Sequence, residues 1–506
     1  MLSKVFSATT LGLDGVLITV EVDVAARGFP SFKIVGLPSK AIEESKERVR
    51  TAIINTSFSM PETKTVINLA PADIPKEGSL FDLPIAVGIL ASQGFIEKSF
   101  LHSSLCVGEL SLDGRVSPVP GILPIATLVK RQGLKNLFIP IDNTKEASLV
   151  DGIQVFGVNT LSDLILHVNK EVELKPSAPV SWDSLRAEEQ YEIDFKDVKG
   201  QQQAKRALEI AAAGGHNILL KGPPGAGKTM LARAFPSILP RMDEQEIVEV
   251  SKIYSVTEAF KDNKFVVCRP FRSPHHTVSR VGLIGGSNRL NPGEISLAHR
   301  GVLFLDEFPE YPRSVIESLR QPLEDGIVTI TRAVGTATFP ARFILIAASN
   351  PCPCGYLGHD KKPCYCSMQQ IMKYKKRVSG PILDRIDIHI DVPPVKKDDL
   401  SSVQDAETSL SIRQRVDAAR SRQTQRFIHS LIKTNAEMTT HHTKKHCLIH
   451  NDAEQLLKQA FSKLSLSARS YFKIVKLAQT IADLDEKEEI TTTHISEAIQ
   501  YRVKEE

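Results

Sequence analysis

A glycine-rich segment in the middle of the chain has the composition and spacing of a phosphate-binding loop. A short apolar run, Ile218-Leu219-Leu220, leads into it, and a helical pattern beginning at Met230 follows it. Glycines let backbone N–H groups close around phosphate oxygens, and the amino end of the following helix adds partial positive charge. We expect Lys228 to reach the β- and γ-phosphates of ATP and Thr229 to bind Mg²⁺. The predicted nucleotide-binding residues of this loop are Gly222, Pro223, Pro224, Gly225, Ala226, Gly227, Lys228 and Thr229.

Two adjacent carboxylates follow a second apolar run later in the chain. The run 301–305 has the pattern of a buried strand, and Asp306 and Glu307 stand at its carboxyl end. Ligands bind at this end of the strands in open α/β sheets. We therefore expect Asp306 to hold Mg²⁺ and Glu307 to polarise the water that attacks ATP. The pair is a weak signal alone, but it is a strong one at this distance after a phosphate loop.

Two further polar residues extend the predicted site. A third apolar run, 343–348, ends just before Asn350, whose amide would help to position the attacking water. The alternative is a turn-forming asparagine before Pro351. Arg385 would supply positive charge to the γ-phosphate of a neighbouring subunit, or it is a surface arginine at a helix end. The residues alone do not decide between these two roles.

A cluster of cysteines has the composition of a metal site. Four of the seven cysteines lie within fifteen residues, in the pattern C-x-C, nine residues, C-x-C. Four thiolates suit tetrahedral zinc, and Gly355, Gly358 and Pro363 allow a tight knuckle. The spacing is shorter than the common C-x-x-C form, and His359 is a spare ligand. The alternative is free thiols in a loop, but we favour zinc bound by Cys352, Cys354, Cys364 and Cys366.

Composition is that of an ordinary globular protein of several domains. The 506 residues are 42% apolar and 24% charged, with a net charge of +4. This mild basic excess does not by itself indicate nucleic-acid binding. No stretch reaches the roughly 18 apolar residues of a membrane helix, and the start of the chain lacks the pattern of a signal peptide. We expect a cytoplasmic protein with reduced or metal-bound cysteines.

Changes in pattern along the chain predict an α/β protein of several domains. Residues 1–169 indicate a mixed α/β domain, and residues 170–192 an exposed linker. Strands alternate with helices over 193–395, which is typical of a parallel sheet. Residues 396–506 indicate a polar connecting segment followed by a small helical bundle.

Local patterns predict individual elements within these regions. Residues 16–22 alternate as a strand does, 39–54 form a helix with Ser39 as a possible N-cap, and 85–93 form a buried helix. Residues 327–346 have the pattern of a β-hairpin. A histidine group in the polar connecting segment is a second candidate metal site, but we favour a solvated loop for His441, His442, His446 and His450.

Four sequence blocks resemble one family, the ComM/YifB group of magnesium-chelatase-like AAA+ ATPases. The blocks are 273–279, 293–301, 321–326 and 350–355. The likeness covers essentially the whole chain, and the motifs are specific to the family. It implies a bacterial cytosolic ring, a hexamer, with a central AAA+ domain and a C-terminal helical lid at roughly 440–506. Members of the ComM type drive branch migration of DNA during natural transformation.

The resemblance also implies roles for several arginines. Arg385 would act as the arginine finger, and Arg469 would be the lid arginine that senses the nucleotide. Residues 271–300 resemble an insertion in the second AAA+ helix, and together with the hairpin they would point into the ring pore. There, phosphate contacts with single-stranded, duplex or branched DNA would be independent of base sequence. The candidates are Arg280, Arg289 and Arg332, for which ion pairs at subunit contacts are an equal alternative.

The N-terminal domain is similar to the proteolytic domain of Lon, which has the ribosomal S5 domain 2-like fold. The similarity lies in 75–80 and 108–116. Lon's catalytic serine position falls on Leu80 and its lysine position near Leu123, whereas Ser79 stands one residue early. A serine nucleophile needs a base, which leucine cannot be. We therefore predict a protease-like fold without proteolysis.

Three functions compete. The first is an ATP-driven DNA motor of the branch-migration or helicase type. The second is a metal-insertion ATPase similar to the magnesium-chelatase motor, which is not expected to carry the Lon-like domain or the cysteine cluster. The third is a protein-remodelling ATPase, against which stands the lack of an obvious aromatic pore loop.

Overall fold

Two large sheets and a set of C-terminal helices organise the chain in a computed structural model. The structure describes residues 2–37, 39–76, 78–182, 191–257, 265–286, 290–332, 335–359, 362–394, 407–430, 432–464 and 467–502. Among these residues there is no helix with the length and apolar character needed to cross a membrane.

The first sheet has seven strands in the spatial order β3-β4-β2-β1-β5-β8-β9. Strands β1, β2 and β4 pair antiparallel, and the remaining neighbours pair parallel. The strands of this region, including the small β6–β7 pair, are β1 (Leu2–Leu11), β2 (Asp14–Val24), β3 (Ser31–Val35), β4 (Lys64–Ala70), β5 (Ser104–Cys106), β6 (Glu109–Leu110), β7 (Val116–Ser117), β8 (Asn136–Pro140) and β9 (Gln154–Val158). The helices are α1 (Lys40–Asn55), α2 (Asp82–Ser92), α3 (Lys98–Leu101), α4 (Ile122–Arg131), α5 (Thr144–Ala147) and α6 (Leu161–Val168).

Helix α2 forms the centre of this domain and is buried along its whole length. Gly88 permits the contact with β2, because a Cβ atom there would lie 2.6 Å from Cγ2 of Val22. The expected strand at 16–22 lies within β2, and the expected buried helix at 85–93 lies in α2 except for its last residue, Gln93, which is the C-cap. Ser39 does precede α1, but its hydroxyl makes no capping hydrogen bond. The cap prediction was therefore wrong in its chemistry.

The second sheet consists of five parallel strands in the order β11-β12-β15-β10-β16. Strands β10, β12 and β15 are apolar except for Lys221 and Ser349 at the ends of β10 and β15, because packing covers both of their faces. The strands are β10 (Ile218–Lys221), β11 (Phe271–Arg272), β12 (Val302–Leu305), β15 (Ile344–Ser349) and β16 (Ile388–Asp391), with the hairpin β13 (Ile327–Arg332) and β14 (Gly335–Pro340) outside the sheet. The helices are α7 (Gln202–Gly214), α8 (Lys228–Ala234), α9 (Glu244–Ser255), α10 (Arg280–Ile284), α11 (Glu294–Leu297), α12 (Arg313–Glu317), α13 (Arg320–Asp325), α14 (Met368–Lys375) and α15 (Gly380–Leu383).

The predicted hairpin is shorter than the sequence pattern indicated. Its arms pair from Ile327 with Pro340 to Arg332 with Gly335. Residues from Ile344 onward belong to β15, because this apolar run is buried between β10 and β12 in the central sheet.

The C-terminal region is helical, with a small parallel strand pair. Its elements are α16 (Ser409–Arg426), α17 (Thr440–His446), β17 (Leu448–Ile449), α18 (Asn451–Lys463), α19 (Ala468–Leu484), β18 (Glu489–Ile490) and α20 (Thr492–Gln500). Along the whole described chain, single 3-10 turns lie at Ile141–Asn143, Phe195–Asp197, Phe235–Ile238, Phe308–Glu310 and Asn435–Glu437. The solvated-loop prediction for the histidine group was wrong for His441, His442 and His446, which lie on α17. A capping box between Thr439 and His442 starts that helix.

A buried carboxyl group joins the N-terminal and central domains. Glu146 of α5 is 1% exposed and accepts hydrogen bonds from the hydroxyl of Ser255 in α9, at 2.5 Å, and from the N–H of Leu123. The N–H of Gly121 donates to the carbonyl of Ser255 at 2.8 Å. Burial raises the pKa of Glu146 to about 7. The contact therefore contains a carboxyl group that titrates near neutral pH.

Candidate functional site

The phosphate loop lies at the carboxyl end of β10 and leads directly into α8. Gly225 and Gly227 have φ angles of +77° and +86°, a region that glycine enters without strain. Lys228 is the first residue of α8, two residues before the helical start expected from the sequence. The glycine turns therefore lead directly into the amino end of α8, which is the strand–loop–helix arrangement that the motif predicted.

Lys228 is held inside this loop by three acceptors. Its ammonium group donates to the carbonyl oxygens of Gly222 at 2.6 Å and Pro223 at 3.0 Å, and to Oδ1 of Asn350 at 3.2 Å. Burial lowers the pKa of Lys228, and the charges of Asp306 and Glu307 oppose that shift. The lysine is therefore positioned by the loop and by the end of β15 together.

The two carboxylates stand beside the loop because β12, β15 and β10 are neighbouring parallel strands. The hydroxyl of Thr229 donates to Oδ2 of Asp306 at 2.8 Å, and the N–H of Glu307 donates to Oδ1 of Asp306 at 2.9 Å. Hydroxyl and carboxylate oxygens are the hard donors that Mg²⁺ prefers, so this pair fits that ion. Glu307 has a left-handed φ of +52°, a conformation that is uncommon for residues other than glycine.

A histidine that the sequence reasoning did not select lies against Glu307. Nδ1 of His276 is 3.4 Å from Oε2 of Glu307. The hydroxyl of Tyr311 donates to the carbonyl of Pro274 at 2.6 Å and fixes the same segment. The available signal was the position of the histidine pair shortly after β11, which ends at the same sheet edge as β12.

The opposite edge of the central sheet gathers a different set of charges. A cavity of about 880 Å³ opens among the amino ends of the strands, and Arg385, Arg469, Lys473 and Lys476 contribute to its lining. Arg385 pairs with Glu324, and this contact lowers the pKa of Glu324. The structure thus brings Arg469 to Arg385 and not to the phosphate loop of its own chain. Four-residue strands separate the two edges by about 13 Å.

The four clustered cysteines converge. Their Sγ atoms all lie within 4.8 Å of one another, and Cys352, Cys354 and Cys364 have Sγ–Sγ distances of 3.4–3.6 Å. Ligands in a tetrahedral thiolate site with Zn–S bonds of about 2.3 Å are about 3.8 Å apart, so the cluster has the dimensions of such a site. A backbone hydrogen bond from Tyr356 lowers the pKa of the Cys354 thiol to about 6.

Two of the three candidate DNA-binding arginines are described by the structure. Arg280 begins α10 and is exposed, and Arg332 ends the first arm of the hairpin. Nε of Arg332 donates to the carbonyl of Gly286 at 3.0 Å, which joins the hairpin to the preceding insertion. Arg289 lies outside the described residues.

The N-terminal domain holds no comparable arrangement at the positions that Lon likeness would make catalytic. Leu80 is 9% exposed and Leu123 is fully buried. The hydroxyl of Ser79 donates to Glu109, and the ammonium of Lys76 donates to the carbonyl of Pro71. Serine and lysine thus have partners other than each other.

Comparisons with known proteins agree with this architecture. Family models described as magnesium chelatase subunit ChlI, subunit ChlI of Mg-chelatase, and the ChlI C-terminal region match residues 194–400, 20–143 and 406–502. Competence protein ComM of Haemophilus influenzae is 42% identical over 99% of this chain and 97% of its own length. YifB of Escherichia coli is 40% identical over the same shares. The magnesium-chelatase 67 kDa subunit of Chlorobaculum parvum is 29% identical over 31% of this chain and 23% of its own.

Proposed function

Because this chain belongs to the ComM/YifB family of magnesium-chelatase-like AAA+ proteins, we propose that it is an ATP-driven motor that moves branched DNA. The setting we propose is natural transformation or recombination, since the relative from Haemophilus influenzae is a competence protein. We place the protein in the cytoplasm, where DNA, ATP and reduced thiols occur together.

The observation that carries the proposal is the physical link between the ATP site and the two insertions. His276 contacts Glu307 and lies four residues before Arg280. Tyr311 holds the same segment through Pro274, and Arg332 of the hairpin bonds to Gly286. A change at the catalytic carboxylate would therefore move both candidate DNA-binding elements together.

The residues at the carboxyl edge of the central sheet have separate roles in the proposed hydrolysis of ATP. Asp306 and Thr229 would hold Mg²⁺, which neutralises charge on the β- and γ-phosphates when it is bound. Glu307 takes the proton as the water oxygen bonds to the γ-phosphorus, and the bond to the β-phosphate oxygen breaks to release ADP. Lys228 and the loop N–H groups bind the phosphates, and Asn350 orients the water.

We further propose a hexameric ring, in which Arg385 and Arg469 serve the nucleotide of a neighbouring subunit. Both line one cavity on the sheet edge opposite their own phosphate loop. A cation that approaches the γ-phosphate from outside the chain would stabilise the charge that develops there during hydrolysis.

The proposed motor is tested by movement of a synthetic DNA junction with and without ATP. We expect the parent protein to move the junction only with ATP, and Arg280→Ala/Arg289→Ala/Arg332→Ala to fail while basal ATP hydrolysis survives. The charge-matched control is Arg27→Ala/Arg50→Ala/Arg131→Ala, which removes three exposed arginines of the N-terminal domain. Equal junction movement by the two triple variants would contradict the assigned DNA contacts.

The alternative functions make different predictions for the same samples. A metal-insertion or protein-remodelling ATPase would hydrolyse ATP without moving DNA. The full-length identity to a competence protein, against a match of 31% of this chain to the magnesium-chelatase 67 kDa subunit, supports the DNA motor over metal insertion.

We also propose that the four cysteines bind one zinc ion per chain. The converging sulfur atoms and the N–H of Leu357, which donates to Sγ of Cys352 at 3.3 Å, support a thiolate site. Elemental analysis of protein purified without chelators should find about one zinc per chain. Protein that contains no metal would contradict this assignment.

A further inference from the structure

We propose that the cysteine metal site sets the geometry of the phosphate loop, so that ATP hydrolysis depends on its metal. The inference rests on the proposed zinc occupancy and adds a role for it in the ATP site. Cys352 lies two residues after Asn350, and the knuckle formed by residues 351–359 folds back onto the loop that binds phosphate.

Gly355 is the point of contact. It has a φ of +83°, and a Cβ atom built there would lie 2.6 Å from Cδ of Pro224 and 3.8 Å from Cγ of Asn350. The N–H of Gly355 donates to the carbonyl of Cys352 at 2.9 Å, which closes the knuckle turn. The backbone of the metal knuckle thus lies directly against the pyrrolidine ring of Pro224 in the phosphate loop.

Asn350 carries the same link into the site. Its Oδ1 accepts a hydrogen bond from Nζ of Lys228 at 3.2 Å. Metal bound to Cys352 and Cys354 would fix the chain immediately after Asn350, and so fix the direction of its amide. The position of the lysine then depends on the knuckle from two sides, through Pro224 and through Asn350.

The second pair of cysteines reaches Asn350 by another route. Cys366 directly precedes Ser367, the N-cap of α14, where Ser367 and Gln370 form a capping box. Tyr374 of that helix is 5% exposed, and the backbone of Asn350 lies close enough to its hydroxyl to oppose the rise that burial causes in the pKa of Tyr374. Both arms of the cluster therefore end on the same asparagine.

The competing interpretation is a knuckle that stabilises its own loop and leaves the ATP site unaffected. Two glycines of this knuckle separate the two interpretations. Gly358 has a φ of +76°, close to that of Gly355, but a Cβ atom there would meet nothing within 4 Å. Alanine causes similar backbone strain at both positions, whereas only Gly355→Ala presses on the phosphate loop.

The test compares the full-length parent, Gly355→Ala and Gly358→Ala. Zinc content, affinity for a fluorescent ATP analogue, and the rate of ATP hydrolysis are measured on each. We expect all three to hold zinc, and Gly355→Ala to hydrolyse ATP at least about 10-fold more slowly, because small displacements of catalytic groups have effects of this size. Gly358→Ala should stay close to the parent.

Removing zinc from the parent protein tests the same coupling without a substitution, so the result does not depend on whether a variant folds correctly. Removal of zinc, followed by assay in excess Mg²⁺, should weaken analogue binding and slow hydrolysis, and added zinc should restore both. Equal rates for the two glycine variants together with full activity of the zinc-free protein would overturn the coupling while leaving zinc binding intact. A purified parent without metal would overturn both proposals.

Discussion

The two large sheets of this protein are both closely packed, but they differ in what stands at their edges. In the central sheet, three adjacent strands end at the phosphate loop, at Asn350 and at Asp306, and their polar groups bond to one another. In the N-terminal domain, the positions that likeness to Lon would make catalytic are the buried Leu80 and Leu123. Likeness of fold therefore does not by itself establish a chemistry, and function has to be argued from the site.

Among substitutions in the two domains, the largest effect on ATP hydrolysis should come from changing a carboxylate at the edge of the central sheet. Glu307→Gln should keep ATP binding and lose hydrolysis by about 100-fold or more, as expected for loss of a well-placed base. Lys228→Ala should instead lose binding. Analogue binding and phosphate release distinguish the two effects.

The control for this pair is Glu310→Gln. Glu310 lies three residues further along and pairs with Arg377 instead of facing the loop. Its hydrolysis rate should stay near that of the parent. Normal turnover by Glu307→Gln would refute the assignment of the base.

A second prediction concerns the arginine edge of the same sheet. Arg385→Ala subunits should bind ATP but hydrolyse it poorly, because the γ-phosphate charge lacks its partner cation. When they are mixed with Lys228→Ala subunits, activity should return at interfaces that combine an intact loop with an intact arginine. Arg469→Ala should behave in the same way. If no mixing ratio restored ATP hydrolysis, although gel filtration showed that the subunits assemble, the result would count against action between subunits.

The third prediction concerns the contact between the two domains. Burial raises the pKa of Glu146 to about 7 from its ordinary value of 4.5. Between these two values the unfolded chain ionises this carboxyl group while the folded chain keeps it protonated, so its contribution to stability falls as pH rises through this window. Above pH 7 the contribution should be constant.

Glu146→Gln removes this titration and leaves a group of similar shape. The difference in melting temperature between the parent and Glu146→Gln should therefore fall by a few degrees from pH 4.5 to pH 7. A difference that does not change with pH would show that the carboxyl group is not protonated in the folded protein.

The smallest effect is expected in the N-terminal domain. The protein should cleave neither casein nor a peptide substrate, with or without ATP, and Ser79→Ala should not change ATP hydrolysis. The reason is that Ser79 bonds to Glu109 and has no base at the Leu80 or Leu123 positions. Proteolysis that survives purification and disappears in Ser79→Ala would remove the contrast between the two domains.

Sequence patterns predicted the elements that carry strong local signals. The phosphate loop, the Asp306 strand and the Asn350 strand are each continuous in sequence, so these elements could be located before the fold was known. The position of Arg469 could not, because it depends on how the C-terminal helices pack against the amino edge of the central sheet. The contact of His276 with Glu307 likewise depends on the pairing of β11 with β12.

The remaining differences between prediction and structure arise where the local sequence pattern does not decide which element forms or what it contacts. The hairpin prediction ran into β15 because both segments are rich in strand-forming residues, and burial between two neighbours decides which sheet the second one joins. The histidine segment is polar, yet the cap at Thr439 starts a helix there. The knuckle contact of Gly355 with Pro224 joins residues distant in sequence, and no pattern in either segment indicates it.

The most direct test of the DNA-motor proposal is the stimulation of ATP hydrolysis by a synthetic DNA junction. We predict stimulation that is independent of base sequence. The DNA concentration needed for half-stimulation should rise steeply with salt, because each phosphate contact on duplex DNA contributes a log–log slope of about −0.9 to the binding constant. A hydrolysis rate that no form of DNA changes, at any salt concentration, would contradict the account.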